Sequence, residues 1–421
     1  MLPPLSSQRR FKPYYYPKKK EFINIGHPHS ATHRHHTTRE NIMKTEQSRW
    51  IEGSGWQLPL PGKLKQTAQL AILFGSTTLL RSGQILDEIK NTYPKALLWG
   101  CSTAGEIFGT QVLDNSLTVT AVQFEHTEVK SAHIKIDAMG ESFHAGEQLV
   151  QALDKEDLVH VLVLSDGLRI NGSDLVRGLT KKLPKNVSIT GGLSGDGDRF
   201  KETLVLRKGV PDDGIISVLG LYGTRLKVGY GSLGGWDPFG PERLVTKSKG
   251  NVLYEMDGRS ALELYKQYLG EHAQGLPATG LLFPLSIRSK EWEKGLVRTI
   301  LAINEKDQSM IFAGDVPEGA YAQLMKANFD RLIDGASGAA TTSYEAIGSA
   351  SPDLAILISC VGRKMILKQR VEEEIEEAAA ILGKNATLTG FYSYGEISPF
   401  APNANCELHN QTMTITTLLE E

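Results

Sequence analysis

Two similar octapeptides, 290 residues apart, carry polar groups that could hold a small ligand. Gly100–Ile107 and Gly390–Ile397 both fit the pattern G-x-x-[ST]-x-G-E-I. Glycines let a backbone approach a ligand closely, and the N–H groups of such a loop can hold a carboxylate. Glu106 and Glu396 could each accept charge-assisted hydrogen bonds from an ammonium group. The alternative is that each glutamate caps a turn and pairs with a local backbone N–H group.

Arg363 could complete an amino-acid site. It closes the segment Ser359–Arg363, and a guanidinium can grip a carboxylate through two parallel hydrogen bonds. A glycine loop, a glutamate and an arginine are together the groups that an α-amino-acid site requires. No nucleophile with a base and an orienting group is visible, so the sequence favours binding over catalysis.

A second glycine loop, Gly191–Gly197, places Ser194 and Asp196 beside four glycines. It lacks the Lys-[ST] pair of a phosphate-binding Walker A loop, so we predict a tight turn that lines the same pocket. Asp166 ends a predicted buried strand. It could either bind a ligand or cap the N-terminus of the next helix.

Three cysteines bear on both chemistry and compartment. Cys101 lies in the first octapeptide and Cys360 ends the corresponding strand of the second half. A catalytic cysteine needs a nearby base, and no histidine is close to either in sequence, so a small buried residue is favoured. An odd count without a C-x-x-C pair argues against disulfides and for a reducing compartment, which predicts a cytoplasmic protein.

Six histidines outside the N-terminal segment are candidates for a haem ligand, which must face an apolar pocket. They are His126, His133, His144, His160, His272 and His409. No C-x-x-C-H attachment motif is present. An ordinary surface or hydrogen-bonded role is the alternative for each.

Aromatic residues accompany the motif loops. They are Trp236, Phe391, Tyr392 and Tyr394. They could wall a pocket, with tyrosine hydroxyls as polar contacts, or pack in the core. The acidic run Glu372–Glu377 is expected to be a solvated helix face.

The composition is typical of a soluble globular protein. The chain has 421 residues, of which 40% are hydrophobic and 22% charged, and its formal net charge is -2. This balance gives no global attraction to nucleic acid or to an anionic membrane. No apolar stretch approaches the ~20 residues of a membrane-spanning helix. We therefore expect neither nucleic acid nor a membrane among the partners.

Repeated strand–helix–strand units must position the octapeptides. Each octapeptide follows a short apolar run, and Leu70–Leu73 upstream of the first matches Leu354–Leu357 upstream of the second. This pattern predicts a duplicated unit with pseudo-twofold symmetry. Leu117–Glu125 and Val129–Ile136 alternate polar and apolar residues, which predicts an antiparallel pair. Gly319–Gly335 has helical spacing.

The predicted fold class is α/β, in the mixed α+β sense. Strand pairs without intervening helices indicate mixed sheets rather than purely parallel ones. We expect two duplicated lobes with helices on their outer faces. The glycine loops of both lobes should converge on a ligand cleft between them.

Five motifs in order resemble the FIST family. They are Gly100–Ile107, Gly191–Gly197, Gly235–Phe239 with Asn251–Gly258, Ser359–Arg363 and Gly390–Ile397. The resemblance covers roughly Gln69 to Ile397 and implies tandem domains: residues 66–250 as the FIST N-terminal domain and 251–402 as the FIST C-terminal domain. Residues 403–421 are predicted to add a strand that completes the second lobe. Residues 1–48 are predicted to be a disordered extension, with Met43 as an alternative start.

The resemblance implies a sensory or signal-transduction module that binds a small, amino-acid-like ligand. Many relatives carry a fused histidine kinase or cyclase, for which this chain has no room, so a standalone sensor with a separate partner of that kind is expected. No cofactor is expected. Similarity to a haem-binding branch of the family makes a nitric oxide sensor the alternative, and a hydrolase that uses Cys101 or the paired carboxylates is a disfavoured second one.

We predict no catalytic residue and no metal ligand. The residues predicted to bind the ligand are Gly100, Cys101, Thr103, Gly105, Glu106, Asp166, Ser194, Asp196, Arg363, Tyr392, Tyr394, Gly395 and Glu396.

Overall fold

The computed structural model describes residues 42–57, 60, 62–290, 292, 295–400 and 404–421. Most of the segment 1–48, including its histidines, lies outside the described residues. The last residues of that segment belong to a strand that begins at Lys44. They are therefore ordered by pairing within the fold and do not follow the prediction of a disordered extension.

The described residues contain eight α-helices. They are α1 Thr77–Leu80, α2 Gly83–Thr92, α3 Ser142–Gln151, α4 Gly172–Lys182, α5 Ala261–Leu269, α6 Phe329–Ala346, α7 Val361–Leu367 and α8 Val371–Leu382. Short 3-10 helices cover Met139–Glu141, Gly270–Gly275, Ala278–Leu282 and Lys368–Arg370. Within this described part, no helix has the length and apolarity to cross a membrane.

The strands are numbered in chain order. The first are β1 Lys44–Ile51, β2 Gly55–Trp56, β3 Leu70–Gly75, β4 Leu97–Ser102, β5 Glu106–Phe108, β6 Gln111–Leu113, β7 Ser116–Gln123 and β8 Glu128–Lys135. The middle ones are β9 Leu158–Ser165, β10 Ser188–Leu193, β11 Val205–Arg207, β12 Val210–Asp212, β13 Ile215–Tyr222, β14 Leu226–Leu233, β15 Asp237–Lys249, β16 Val252–Met256 and β17 Arg259–Ser260. The last are β18 Leu285–Arg288, β19 Leu296–Arg298, β20 Ile300–Asn304, β21 Ser309–Phe312, β22 Tyr321–Lys326, β23 Leu354–Cys360, β24 Thr387–Ser393, β25 Gly395–Pro399, β26 Cys406–His409 and β27 Met413–Glu420.

Three mixed sheets share one plan. Their strand orders are β12-β11-β4-β3-β7-β1-β2, β26-β25-β10-β9-β13-β8 and β14-β27-β23-β24-β5-β6. In each sheet, two parallel strands joined by helix lie beside an antiparallel third strand. We call these sets repeat 1 (β3, β4, β7), repeat 2 (β9, β10, β13) and repeat 3 (β23, β24, β27).

The fold is mixed α/β with two lobes, as predicted, but the unit occurs three times instead of twice. Pseudo-twofold duplication is therefore wrong as a description of the repeats. Repeat 2 escapes the sequence pattern because its loop, Gly191–Gly197, has no glutamate after the glycines and is followed by a longer connection to β11.

Each of the three sheets is completed by a hairpin from another repeat. The hairpin β5–β6 lies between β4 and β7 of repeat 1 and pairs with β24 of repeat 3. The hairpin β11–β12 lies between β10 and β13 of repeat 2 and pairs with β4 of repeat 1. The hairpin β25–β26 lies between β24 and β27 of repeat 3 and pairs with β10 of repeat 2. The repeats are interleaved in a ring, so each depends on a strand that its neighbour supplies.

The three sheets face one apolar core. Alternate residues of the central strands lie in it, among them Ile72, Leu164 and Ile358. The intervening residues, such as Leu73 and Leu357, pack in the separate clusters on the other faces of these sheets. Strands buried on both faces have continuous apolar sequences, which is why these three were predictable.

The predicted antiparallel pair Leu117–Glu125 and Val129–Ile136 is wrong, although both segments are strands. β7 pairs with β1 and β3, whereas β8 pairs with β13 in the next sheet. β7 pairs with β1 over eight residues, and β8 pairs with β13 over eight residues. Distant partners thus override a local hairpin, because strand pairing depends on burial against the neighbours that the fold supplies.

The helix predicted from the spacing of Gly319–Gly335 is correct only in its second half. Residues Tyr321–Lys326 form β22, which lies between β18 and β15. Helix α6 starts afterwards, where the Asn328 side chain accepts from the N–H groups of Asp330 and Arg331. Before this cap, the residues form a strand in spite of their helical spacing, because they pair with strands on both sides.

An eight-stranded sheet lies beside the three-sheet body. Its order is β19-β18-β22-β15-β16-β21-β20, with β17 on β16, and α5 packs on it around a separate apolar core. Most of this sheet belongs to the C-terminal lobe, which also supplies repeat 3 of the three-sheet body.

Candidate functional site

The first glycine of each loop allows two neighbouring strands to approach. A Cβ atom on Gly100, Gly191 or Gly390 would lie 1.9, 1.9 or 1.8 Å from a carbonyl oxygen of the adjacent parallel strand. Those oxygens belong to Leu73, Val163 and Leu357. These glycines are therefore required by sheet packing, whereas the prediction assigned Gly100 to the approach of a ligand.

The three glycine loops meet at one place, as the sequence predicts for the two octapeptides. Three backbone hydrogen bonds join them in a ring. The bonds run from Ala104 N to Tyr392 O (2.8 Å), from Gly195 N to Ser102 O (3.0 Å) and from Tyr394 N to Leu193 O (3.1 Å). The donors occupy equivalent positions of the repeats, and so do the acceptors. We call residues 102–106, 193–197 and 392–396 the glycine-loop junction.

Glu106 is buried at this junction and is paired at both oxygens. Thr103 Oγ1 donates to one carboxylate oxygen at 2.5 Å. Ser116 donates to the other from its hydroxyl at 2.6 Å and from its N–H at 3.3 Å. Burial raises the pKa of Glu106 to about 7 in spite of these donors.

Glu396 repeats this arrangement in the other octapeptide. Ser393 donates at 2.6 Å, and Thr412 donates from its hydroxyl at 2.9 Å and from its N–H at 3.1 Å. Burial likewise raises the pKa of Glu396 to about 7. Both glutamates thus make the local turn contacts that the sequence analysis holds as the alternative to ammonium binding.

Repeat 2 has apolar residues at the equivalent places. In the sheet register, Glu106 pairs with Phe391, Glu396 pairs with Gly192 and Val205 pairs with Cys101. Each of these partners comes directly after the first glycine of a loop. Val205 therefore replaces the glutamate. Ile215 replaces Ser116 and Thr412. The backbone carbonyl of each of these three residues accepts from the N–H group at the end of a central strand, which is that of Asp166, Ser76 or Cys360 respectively. The polar pair has become an apolar contact within the shared core.

Asp196 and Tyr394 tie the loops of repeats 2 and 3 together. The Tyr394 hydroxyl donates to the Asp196 carboxylate and accepts from the N–H groups of Asp196 and Phe200. The other Asp196 oxygen accepts from Lys201 N and Glu202 N at 3.0 Å each. Phe200 stacks on the Tyr394 ring with centroids 4.4 Å apart. Both predicted residues are thus engaged within the protein.

Asp166 and Ser194 have turn-stabilising roles. The Ser194 hydroxyl donates to Ser165 O at 3.0 Å. One Asp166 oxygen accepts from two N–H groups of the following turn at 2.8 Å, and the other accepts from Gly214 N at 2.9 Å. The cap of α4 is Asn171, so Asp166 caps a turn rather than the helix named in the alternative.

Arg363 is completely buried and does not face a ligand carboxylate. Its Nε and Nη2 atoms donate to Glu374 at 3.0 and 2.7 Å. It also donates to the carbonyls of Gly234 and Leu332. The Tyr392 hydroxyl donates to the second oxygen of Glu374 at 2.7 Å. Arg363 and Tyr392 therefore serve a buried ion pair.

The burial of Glu374 contradicts a second prediction. It belongs to the acidic run Glu372–Glu377, which was predicted to be a solvated face, yet its side chain is fully buried. Helix α8 turns this residue inward beside Ile375 while Glu376 and Glu377 remain exposed. A distant arginine, Arg363, makes the burial of one carboxylate possible, and the local sequence does not show that partner.

The remaining predicted residues lie in the junction or directly before it. Burial raises the pKa of the Cys101 thiol well above its ordinary value, which disfavours a thiolate nucleophile. Gly105 has φ +138°, and a Cβ atom there would collide with Lys364 Nζ. Gly395 packs against the Leu193 side chain. No open ligand position follows from these contacts.

The buried histidines already have hydrogen-bond partners. His160 contacts Ser188 Oγ at 2.7 Å and Thr190 Oγ1 at 2.9 Å, and burial lowers its pKa to about 3. His409 Nε2 donates to Ser398 O at 2.7 Å, and burial lowers its pKa to about 4. Among the described residues, no group of three or more His, Cys, Asp or Glu side chains could hold a metal ion.

Buried polar side chains that the sequence analysis did not single out lie where the eight-stranded sheet meets the three-sheet body. Seven buried side-chain nitrogen or oxygen atoms lack a hydrogen-bond partner within the described part of the chain, and five of them belong to four residues along this boundary. Their residues are Thr299, Asp315, Asn410 and Gln411. We call these four residues, with Arg298, the lobe seam. All five belong to the C-terminal lobe, and the name marks the boundary between the eight-stranded sheet and the three-sheet body.

Arg298 joins the two sides of the lobe seam. Its Nη1 donates to Leu408 O at 2.8 Å, and its Nε donates to Asp315 O at 3.1 Å. Burial lowers the pKa of Arg298 to about 10, while the carboxylates of Asp315 and Glu407 oppose that shift. The segments that contain residues 315 and 410 are therefore bridged by one guanidinium.

Two motifs from the sequence do reach the lobe seam. Trp236 Nε1 donates to Gln411 O at 2.9 Å. A Cβ atom on Gly362 would lie 2.5 Å from Gln411 Nε2. These motifs, Gly235–Phe239 and Ser359–Arg363, were the available signal for the seam. Its own residues carry no recognisable pattern.

Comparison with known families finds two domains in tandem. Residues 69–259 match the FIST N domain, and residues 261–399 match the FIST C domain. The chain belongs to the FIST family, with the two domains in tandem. FIST domains are generally sensory, signal-transduction modules.

Individual relatives add less. An uncharacterized protein of Methanocaldococcus jannaschii is 24% identical over 327 residues, which cover 70% of this chain and 60% of that protein. The chain thus spans well under two thirds of that relative's length. A cyanuric acid hydrolase from A. caulinodans and a second cyanuric acid hydrolase structure each cover 90% of this chain at 9% identity, with TM-scores of 0.35 and 0.30. These scores are too low to support an argument.

Proposed function

We propose that this protein is a sensory module that binds a small amino-acid-like metabolite where its eight-stranded sheet meets the three-sheet body, and that it signals to a partner such as a histidine kinase or a cyclase. The observation that carries the proposal is the lobe seam. There, buried polar atoms of Asp315, Asn410 and Gln411 lack partners among the described residues. A buried group without a partner destabilises the protein until a ligand or water pairs with it.

The interleaved repeats would transmit the binding event. Arg298 connects the seam to Leu408, whose strand β26 pairs with β25. Strand β25 begins at the glycine-loop junction and carries Glu396. A ligand in the seam therefore contacts elements that lead directly to all three repeats. It can shift their arrangement only as far as it binds one arrangement better than another.

The test is a thermal-denaturation screen of the full-length chain against the twenty standard amino acids. A ligand that binds the native state raises the melting temperature, and the rise grows with ligand concentration. Sucrose at the same concentrations is the control, because excluded osmolytes stabilise proteins without a site. A flat response to every amino acid contradicts the proposal.

Absorption spectra with and without added haemin test the haem alternative on the same preparation. A sharp Soret band that is lost when one of the six histidines is replaced would favour a haem sensor. A featureless spectrum beside a positive amino-acid response would favour the proposed function.

A further inference from the structure

A flanking strand adds one side chain to each contact between neighbouring repeats. Strands β1, β8 and β14 lie beside β7, β13 and β27, the antiparallel strands of repeats 1, 2 and 3. Three residues occupy equivalent register positions on the flanking strands, because their partners pair with equivalent residues in the first strand of each repeat. They are Gln47, Ser131 and Tyr230.

Large side chains fill this place in two of the three contacts. Gln47 Nε2 donates to Thr120 Oγ1 and to Leu388 O of repeat 3, both at 3.0 Å. Tyr230, beside repeat 3, stacks on His160 of repeat 2 with ring centroids 6.5 Å apart. Between repeats 1 and 2 the equivalent residue is Ser131, which is exposed. A serine side chain is much smaller than a glutamine or a tyrosine, so it leaves this contact open.

A pocket of about 250 Å³ lies at this open contact. Ser131 lines it together with Leu97 and Leu98 of strand β4. Its buried end is formed by Trp99 and Ser217, where the indole Nε1 donates to the serine hydroxyl at 3.1 Å. The volume is smaller than the ~300–1,000 Å³ of sites for drug-sized ligands, so the pocket suits a small molecule with an apolar body. We call it the Trp99 pocket.

The charged groups at the Trp99 pocket are basic. Lys90, His133 and Lys208 line it, and none of the described residues that line it is acidic. Burial and the charges of Lys208 and Arg207 lower the pKa of His133, so the lysines carry the charge near pH 7. Arg207 is paired with Asp212, whereas neither lysine forms an ion pair within the described part of the chain. An anion bound here would supply the missing counter-charge.

Lys208 occupies a strained position in the hairpin β11–β12. Arg207 pairs with Val210, so Lys208 and Gly209 are the two central residues of the turn. Their φ angles of +53° and +76° are those of a hairpin turn that favours Asn-Gly. A lysine is less stable than an asparagine or a glycine in this conformation. Strain that persists beside a pocket indicates a use for the side chain, here its charge.

We infer that the Trp99 pocket binds a small organic anion in which a carboxylate or a phosphate group is attached to a flat apolar body. Lys90 and Lys208 pair with the anionic group, and the apolar body lies along Leu98 and Trp99. Because the described lining contains no carboxylate, it offers no counter-ion to the ammonium group of an amino acid. The inference therefore goes beyond the proposed function, which concerns the lobe seam.

Isothermal titration calorimetry on the full-length chain tests the inference with four probes. They are benzoate, phenyl phosphate, benzamide and inorganic phosphate. Benzoate or phenyl phosphate should bind, and the tighter of the two identifies the anionic group. Benzamide keeps the ring without the charge, and inorganic phosphate keeps the charge without the ring. Each should bind at least about tenfold more weakly, because it loses one of the two contacts.

Three variants locate the binding. Ser131→Tyr gives this contact the tyrosine that repeat 3 has and should abolish binding by filling the pocket. Lys208→Asn should weaken binding by about threefold to fivefold, as for the loss of an exposed ion pair. Its melting temperature should stay the same or rise, because asparagine suits the turn. Lys185→Asn is the matched control, since it makes the same change at an exposed lysine outside the pocket.

Failure of both benzoate and phenyl phosphate to bind would overturn the inference. Undiminished affinity in Lys208→Asn would also overturn it, and so would an equal loss in Lys185→Asn, which would indicate a general effect of net charge. If Ser131→Tyr does not fold, the two lysine variants still decide. None of these results affects the amino-acid response that tests the lobe seam, so the two proposals fail separately.

Discussion

The glycine-loop junction and the lobe seam are both buried and polar, yet their polar groups are satisfied to different degrees. At the junction, Glu106 and Glu396 accept hydrogen bonds at both oxygens. In the seam, both side-chain polar atoms of Asn410 lack partners within the described residues. Paired networks specify a fold, whereas each unpaired buried group costs about 1–3 kcal/mol. The conspicuous motif therefore holds the chain together, whereas inconspicuous residues leave buried polar atoms without partners among the described residues.

The largest effect is expected where a fully paired site loses a charge. Arg363→Met leaves the buried Glu374 carboxylate without its counter-ion and should lower the free energy of unfolding by about 3–5 kcal/mol, measured by urea denaturation. Arg370→Met is the control, since it removes an exposed arginine paired with Glu373 and should leave the midpoint unchanged. If both variants lost the same free energy of unfolding, the buried ion pair would contribute no more to stability than the exposed one, contrary to the prediction.

The second-largest effect is expected when the buried polar pair of repeat 1 is changed toward the apolar pair of repeat 2. Glu106→Val alone leaves the hydroxyls of Thr103 and Ser116 without their acceptor and should cost about 2–4 kcal/mol. Adding Ser116→Ile reproduces the apolar pair of Val205 and Ile215. Because contacting residues are energetically coupled, the double variant should recover at least about half of that loss.

Urea denaturation of the single variants and the double variant gives the coupling directly. If the two losses simply add, the equivalence of the repeats at this position is wrong. Recovery would show that the buried glutamate is replaceable for stability, as it already is in repeat 2.

A smaller effect is expected from pH. Glu106 and Glu396 ionise near 4.5 in the unfolded chain, while burial raises their pKa to about 7 in the folded protein. The folded state then binds more protons between about pH 5 and 7, so stability falls as the pH rises through that window. Each group should contribute about 1–2 kcal/mol to the fall.

Denaturation midpoints from pH 5 to 7 measure this dependence. The double variant Glu106→Gln with Glu396→Gln should flatten the curve, because amides do not ionise. Glu376→Gln, on the exposed face of helix α8, should retain the full slope. A slope that survives in the double variant would assign the proton uptake to other groups.

The smallest effect tests the wall of the lobe seam. Trp236→Phe removes the donor to Gln411 O and should lower the free energy of unfolding by about 1 kcal/mol. Trp56→Phe is the matched control, because its indole donates to the partly exposed Glu88 at 2.8 Å and water can replace it. A larger loss in the control would argue against a dry seam.

Much of the fold could be predicted from the sequence, but the pairings could not. The strands before both octapeptides lie within a few residues of their predicted positions, because strands buried on both faces have continuous apolar sequences. Strands β7 and β8 were correctly placed in the chain, yet each pairs with a strand that the alternation of polar residues does not identify. Residues Tyr321–Lys326 follow a helical spacing and form a strand because two neighbours enclose them.

The candidate site, like the fold, was predictable only in part. The residues of the junction were identified from sequence, and their convergence was predicted. Their contacts were not, since Arg363 finds Glu374 and Tyr394 finds Asp196 only in the folded chain. The seam was missed because an asparagine, a glutamine and an aspartate without a motif are ordinary surface residues in a sequence.

The sequence by itself determined where glycine must stand, which strands are buried on both faces and which family the chain resembles. These are demands on residue type at single positions, so they leave a readable pattern. Only the tertiary structure decided that the unit occurs three times, that Arg363 is paired with Glu374 and that the Asn410 amide has no partner among the described residues. The physical reason is that a hydrogen-bond partner is a property of two places in the chain. Arg298 and Leu408, 110 residues apart, meet only after the sheets have assembled.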